Sequence, residues 1–229
     1  MKIAIIGSGM VGRAFALRLA ESGHDVVVGT RNVEATRQRT SPDAKGIPAW
    51  RYWAAEHPDI ALVSFYDAGR FAELIINATE GAISIEALNL VGKDNLAGKT
   101  IIDLALPLTY SPGDIPRLIF ANDDSLGEQI QRAFPAAHVV KTLNTMVYTI
   151  MLDPSLLPGS HNVFMSGEHQ IAKSKVRALL MQFGWPAENI IDLGGIKTAR
   201  ATEMYAPLLF QISKVSGDYN FNIAIVRKK

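Results

Sequence analysis

Three glycines, Gly7, Gly9 and Gly12, are spaced G-x-G-x-x-G directly after the apolar run Lys2-Ile3-Ala4-Ile5-Ile6. They open a segment from Met10 to Glu21 that reads as a helix and that Gly23 stops. Strand, glycine loop and helix in that order form a cradle for a dinucleotide pyrophosphate. Gly7 permits the tight turn, Gly9 lets the main chain approach the phosphates, and Gly12 lets the helix lie close on the strand. The helix start adds free N–H groups and the positive end of a dipole.

The second half of this chemistry sits at the end of the next strand, Asp25-Val26-Val27-Val28-Gly29-Thr30-Arg31-Asn32. An NAD site places an acid there to bond the adenosine ribose 2′-OH. This chain has Thr30 and then Arg31; Asp25 lies at the wrong end of the strand. Loss of the carboxylate removes a charge that would repel a 2′-phosphate, and an arginine adds a planar fork that can grip one. The pattern predicts a preference for NADP(H); the plainer alternative is that Arg31 is a solvated loop cation.

Three further loops follow strands. In Asn77-Ala78-Thr79-Glu80-Gly81, small residues admit the cofactor's ribose and pyrophosphate, or Thr79 simply caps a helix. In Asp103-Leu104-Ala105-Leu106-Pro107-Leu108, Ala105 and Pro107 face the nicotinamide, or the proline only ends a strand. In Lys141-Thr142-Leu143-Asn144-Thr145-Met146, Thr142 and Asn144 can bond a carboxamide or a second ring and Met146 offers soft apolar surface; an ordinary turn with a core methionine explains the same residues.

Proton-transfer machinery is not visible. The five histidines share no motif, and the positions four after Tyr110, Tyr148, Tyr205 and Tyr219 hold Asp114, Leu152, Leu209 and Ile223, so no Y-x-x-x-K pair exists. We therefore assign no catalytic side chain and no metal. Reduction of a ketone benefits from a positioned acid. Hydride exchange with another redox cofactor needs two rings held at reacting distance.

The elements that must position these loops are apolar strands at Lys2–Ile6, Asp25–Gly29, Ile60–Phe65, Leu74–Asn77, Thr100–Leu104 and His138–Lys141, alternating with helical stretches. Continuous apolar runs suit parallel strands covered on both faces. Ser125 and Glu128 read as a capping box before a helix that Pro135 ends. Val176, Leu179, Leu180 and Phe183 share a face of a later helix stopped by Gly184. Strands are expected at Asn162–Ser166, Ile190–Leu193 and Phe221–Val226, with a helix from about Thr198 interrupted near Pro207. The fold class is α/β, a doubly wound Rossmann sheet over residues 1–143, with a small α/β portion over 144–229 closing the substrate cleft. Ligands then meet the loops after the strands, including Phe65–Gly69.

Bulk properties agree. The 229 residues carry a net charge of +1, with 48% hydrophobic and 20% charged residues, so no basic stripe points to nucleic acid. No apolar run approaches membrane-span length. No cysteine is present, which excludes thiol catalysis, disulfides and thiolate metal sites. Met1 leads straight into a strand, and we expect no signal peptide and a cytoplasmic location.

The glycine loop, Val28-Gly29-Thr30-Arg31-Asn32, Asn77-Ala78-Thr79-Glu80-Gly81, Ser125-Leu126-Gly127-Glu128-Gln129, Lys141–Met146 and Ala201-Thr202-Glu203-Met204-Tyr205 together carry a family resemblance. The chain resembles the coenzyme F-420-dependent NADP oxidoreductases and their bacterial dinucleotide-binding relatives over nearly its whole length. The resemblance implies a Rossmann domain, a small C-terminal domain, a homodimer, and hydride transfer between NADPH and a deazaflavin or flavin-like acceptor. It implies that Ser8, Met10 and Val11 join the pyrophosphate loop and that Thr30 and Arg31 hold the 2′-phosphate. The chain departs from archaeal members, which carry His where Asn144 stands, and from close bacterial relatives, which carry Asn-Pro where it has Leu106-Pro107. A reductase of small imines or carbonyls and a non-catalytic NADP(H) sensor are the competing readings.

Overall fold

The computed structural model describes residues 1–43 and 46–228. In chain order the strands are β1 (Lys2–Ile6), β2 (Asp25–Thr30), β3 (Ala61–Ser64), β4 (Leu74–Asn77), β5 (Thr100–Asp103), β6 (Leu108–Thr109), β7 (Arg117–Leu118), β8 (His138–Thr142), β9 (Val163–Ser166) and β10 (Ile190–Asp192). The helices are α1 (Met10–Glu21), α2 (Val33–Gln38), α3 (Trp50–Glu56), α4 (Phe65–Phe71), α5 (Ser84–Val91), α6 (Lys93–Leu96), α7 (Leu126–Ala133), α8 (Tyr148–Leu152), α9 (Gln170–Gln182), α10 (Ala199–Met204) and α11 (Ala206–Ser216).

Eight strands form one sheet in the order β10-β9-β8-β5-β4-β1-β2-β3. The order β3-β2-β1-β4-β5-β8 is that of the doubly wound dinucleotide fold. All pairs are parallel except β8 with β9. The last two strands of the main sheet therefore continue it but run the opposite way.

The continuous apolar strands are explained by burial on both faces. Ile3, Ile5, Leu74, Ile76, Ile102 and Val140 pack with α1, α8 and α9. Ala4, Ile6, Ile75, Ile101 and Val139 pack with α4, α5 and α7. Each buried isoleucine, leucine or valine among them contributes about 1.5–3 kcal/mol by leaving water. Helix α1 has the bounds its glycines announced, and Gly23 ends it at φ +80°.

Two expectations are corrected. The third strand does not run to Phe65 into a loop over Phe65–Gly69; it passes directly into α4, because Ser64 Oγ accepts the Asp67 N–H and caps the helix. The strand expected over Phe221–Val226 does not form. Among the described residues that segment is bonded at Asn162, just before β9, whose N–H donates to Ile223 O and whose Oδ1 accepts from Ile225 N. A side-chain amide supplies one of those two bonds, so no ladder builds and Val226 stays 92% exposed. Among the described residues no helix is long and apolar enough to cross a membrane.

Candidate dinucleotide site

The carboxyl ends of five strands finish in one row. Ile6 pairs with Gly29 and Asn77, Asn77 with Asp103, and Asp103 with Lys141. The winding reverses at β1, between β2 and β4, and a ligand crevice opens at that point.

The glycine loop forms one lip. Gly7 has φ +123°, and a Cβ there would lie 2.6 Å from Ala78 O. A Cβ on Gly12 would lie 2.0 Å from Gly7 O. Around Gly9 nothing stands within 4 Å of a Cβ position, so the second glycine faces open space. Helix α1 starts beside it without a side-chain cap and without an acid in its first turn, which leaves N–H groups to an anion. The cleft in front measures about 300 Å³, and Met10, Val11, Ala78, Thr79, Leu104, Ala105 and Met151 give it a mainly apolar lining. Asp43, Glu80 and Tyr110 also border it; of these, Glu80 stands in the Asn77–Gly81 loop named from the sequence.

Arg13 was missed as well. Its Nε donates to Ser8 O at 2.9 Å, its Nη1 to Pro48 O at 2.8 Å, and its guanidinium lies 5.5 Å from the Trp50 ring centroid. Burial and the nearby Arg39 pull its pKa below the ordinary arginine value, with Asp43 opposing them. The glycine loop is thus tied from behind to the segment before α3. The only prior signal was a cation five residues after Ser8 on a helix whose inner face is otherwise apolar.

At the other end, Thr30 is buried and its hydroxyl shares a 3.0 Å hydrogen bond with Thr36 Oγ1. Asn32 Oδ1 accepts the Ala35 N–H and caps α2. Arg31 reaches out instead, and its Nη2 lies 3.2 Å from Glu86 Oε1 on α5.

Beneath the cleft runs a buried polar network. The Asn77 amide donates to Asp103 Oδ1 and to Ser84 Oγ, and Thr79 Oγ1 donates to Asn77 Oδ1. Lys141 Nζ, wholly buried, donates to Asp103 Oδ2 and Glu203 Oε1, each at 2.9 Å, and to Ala105 O. The Glu203 carboxylate accepts the Leu126 and Gly127 N–H groups at the start of α7. Burial alone would lower the Lys141 pKa, but Asp103 and Glu203 outweigh it and hold the ammonium above its ordinary value.

The residues proposed from sequence therefore occupy distinct places. Gly7 to Gly12 shape the lip, and Ala78, Thr79 and Ala105 line the cleft. Pro107 closes the β6–β7 hairpin through its carbonyl, which accepts the Ile119 N–H. Asn77 and Thr142 lie below the floor, Thr142 donating to Phe164 O at 2.6 Å. Asn144 and Thr145 are buried too, yet among the described residues Asn144 Nδ2 and Thr145 Oγ1 meet no hydrogen-bond partner. Leu143 before them has φ +64°, the left-handed region that a leucine seldom adopts. Met146 belongs to the core; Met10 and Met151 are the methionines at the cleft.

The model of the family NADP oxidoreductase, coenzyme F420-dependent, matches residues 2–107. A solved structure from Arthrobacter sp. FB24, proposed to be an F420-dependent NADP reductase, is 48% identical, with TM-score 0.93 over 99% of this chain and 100% of that one. The F420-dependent NADP reductase of Methanothermobacter marburgensis is 27% identical over 93% of this chain and 92% of its own length. The metalloreductase STEAP3 of Rattus norvegicus is 28% identical over 88% of this chain, which spans only 36% of that longer protein.

Proposed function

The chain belongs to the coenzyme F420-dependent NADP oxidoreductase family, and on that premise we propose that it exchanges a hydride between NADP(H) and a deazaflavin, coenzyme F-420, or a flavin-like acceptor. The observation that carries this reading is an open-faced Gly9 at the start of α1 together with a cation, not an acid, at the end of β2.

In this reading Gly7, Ser8, Gly9, Met10, Val11 and Gly12 bind the pyrophosphate, with Arg13 lending positive charge from behind. Thr30 and Arg31 receive the 2′-phosphate. Asn77, Ala78 and Thr79 support the ribose side, and Ala105, Pro107 and Asn144 form the nicotinamide end, with Thr142 bracing it from below through its bond to Phe164 O. The unpartnered Asn144 amide supports that last assignment, since a buried donor is costly unless something accepts from it. When bound, the reduced nicotinamide supplies the hydride. The protein positions: Met10, Leu104 and Met151 exclude water and flank the rings, so the rate enhancement comes from proximity and orientation. Residues 1–143 act as the NADP unit and 144–229 close the cleft. The same reading makes the protein a cytoplasmic homodimer working on small-molecule redox cofactors, with no role for nucleic acid or membrane.

Mixing the protein with NADPH and oxidised F-420, FMN or FAD and following absorbance tests it. Turnover with F-420 is expected; flavin turnover alone would reassign the acceptor. Tight NADPH binding without turnover of any acceptor would refute the enzymatic reading and favour a sensor. Arg31→Ala is expected to weaken NADPH by about 1.5–3 kcal/mol, the range for a hydrogen bond to a charged group, and to leave NADH nearly unchanged; calorimetric titration of both nucleotides checks this.

A further inference from the structure

The Arg31–Glu86 pair joins the end of β2 to α5, the helix after β4, and so spans the groove beside β1. Its parts differ in freedom. The main chain around Arg31 is fixed, because Thr30 is buried against Thr36 and Asn32 caps α2. Helix α5 is fixed by the buried Ser84, Ala87, Leu88 and Val91. Both side chains are more than half exposed, 56% and 61%, so solvent can take up either tip.

We infer that Glu86 is a specificity-determining residue: it occupies Arg31 until a nucleotide 2′-phosphate displaces it. This rests on the reading that Arg31 is the 2′-phosphate ligand. A phosphate monoester and a carboxylate seek the same guanidinium donors. With Nη2 only 3.2 Å from Glu86 Oε1, a phosphate on that guanidinium brings two anions close together, so Glu86 must swing away. The carboxylate therefore lowers affinity for 2′-phosphorylated nucleotides and leaves the unphosphorylated ones untouched.

The test uses adenosine 2′,5′-bisphosphate and AMP as probes, titrated calorimetrically, so that neither nicotinamide nor turnover enters. Glu86→Gln should tighten the bisphosphate by about two- to fivefold, the scale of an exposed ion pair, and leave AMP unchanged. In an Arg31→Ala background the same substitution should have no effect. Equal affinities for Glu86→Gln and wild type, or a loss of AMP affinity marking Glu86 as a ribose ligand, would overturn the inference. If Arg31→Ala itself fails to weaken the bisphosphate, the underlying assignment of Arg31 fails instead.

Discussion

Lys141→Met should cost about 3–5 kcal/mol of folding stability, the usual result of removing one partner from a buried ion pair. Lys141 stands at 0% side-chain exposure between Asp103 and Glu203. Methionine would fill much of the volume but leave two carboxylates out of reach of water with their cation gone. Asp103 would keep the Asn77 amide and the Ala105 N–H, and Glu203 the two N–H groups of α7, so the loss should stop short of complete unfolding. Urea denaturation at neutral pH measures it. Neutralising the acids as well, in Lys141→Met/Asp103→Asn/Glu203→Gln, should recover part of the loss; no recovery would mean that shape, and not charge, sets the cost. The pH dependence has a definite sign. Because the folded-state pKa of Lys141 lies above the 10.5 of a free lysine, its contribution is complete below that pH and is lost as the pH rises through the folded value.

Gly12→Ala and Gly9→Ala should fail in opposite ways. At Gly12 a methyl would sit 2.0 Å from Gly7 O and 3.3 Å from Ile5 Cγ2. Helix α1 must then lift off β1, at about 1–3 kcal/mol of stability. At Gly9 the methyl meets nothing within 4 Å, so stability should stay within about 0.5 kcal/mol. The same methyl stands where the proposed function puts the pyrophosphate, and on that reading NADPH affinity should fall by about tenfold or more, about 1.4 kcal/mol. Thermal melts paired with NADPH titration separate the two. A Gly9→Ala protein that binds NADPH normally would put the phosphates elsewhere.

The fold was legible where local signals are strong. Strands such as Leu74–Asn77 are buried at every position and apolar up to their last residue because both faces are covered, and α1 is bracketed by glycines with fixed conformational duties. The tail over Phe221–Val226 has strand-like composition, but composition does not report whether a sheet edge is available to pair with. The site divides along the same line. Glycine loop and Arg31 are contiguous and readable. The Lys141 network is not, because its directly bonded partners lie up to 77 residues apart on the chain, as Leu126 and Glu203 do, and meet only in the folded sheet. A lysine at the end of an apolar strand was the one available hint. Thr142 could be read as a cofactor contact because its position was right, although its hydroxyl is taken by Phe164 O.

The tether between Arg13 and Trp50 gives the chain an optical reporter. The guanidinium that steadies Ser8 lies over one indole, and Trp53 sits 4.8 Å from that indole, centroid to centroid. The remaining tryptophan, Trp185, is buried elsewhere, its ring N–H given to Met151 O. Nucleotide settling on the glycine loop should therefore alter the emission of the first two, and Trp50→Phe should silence much of that response.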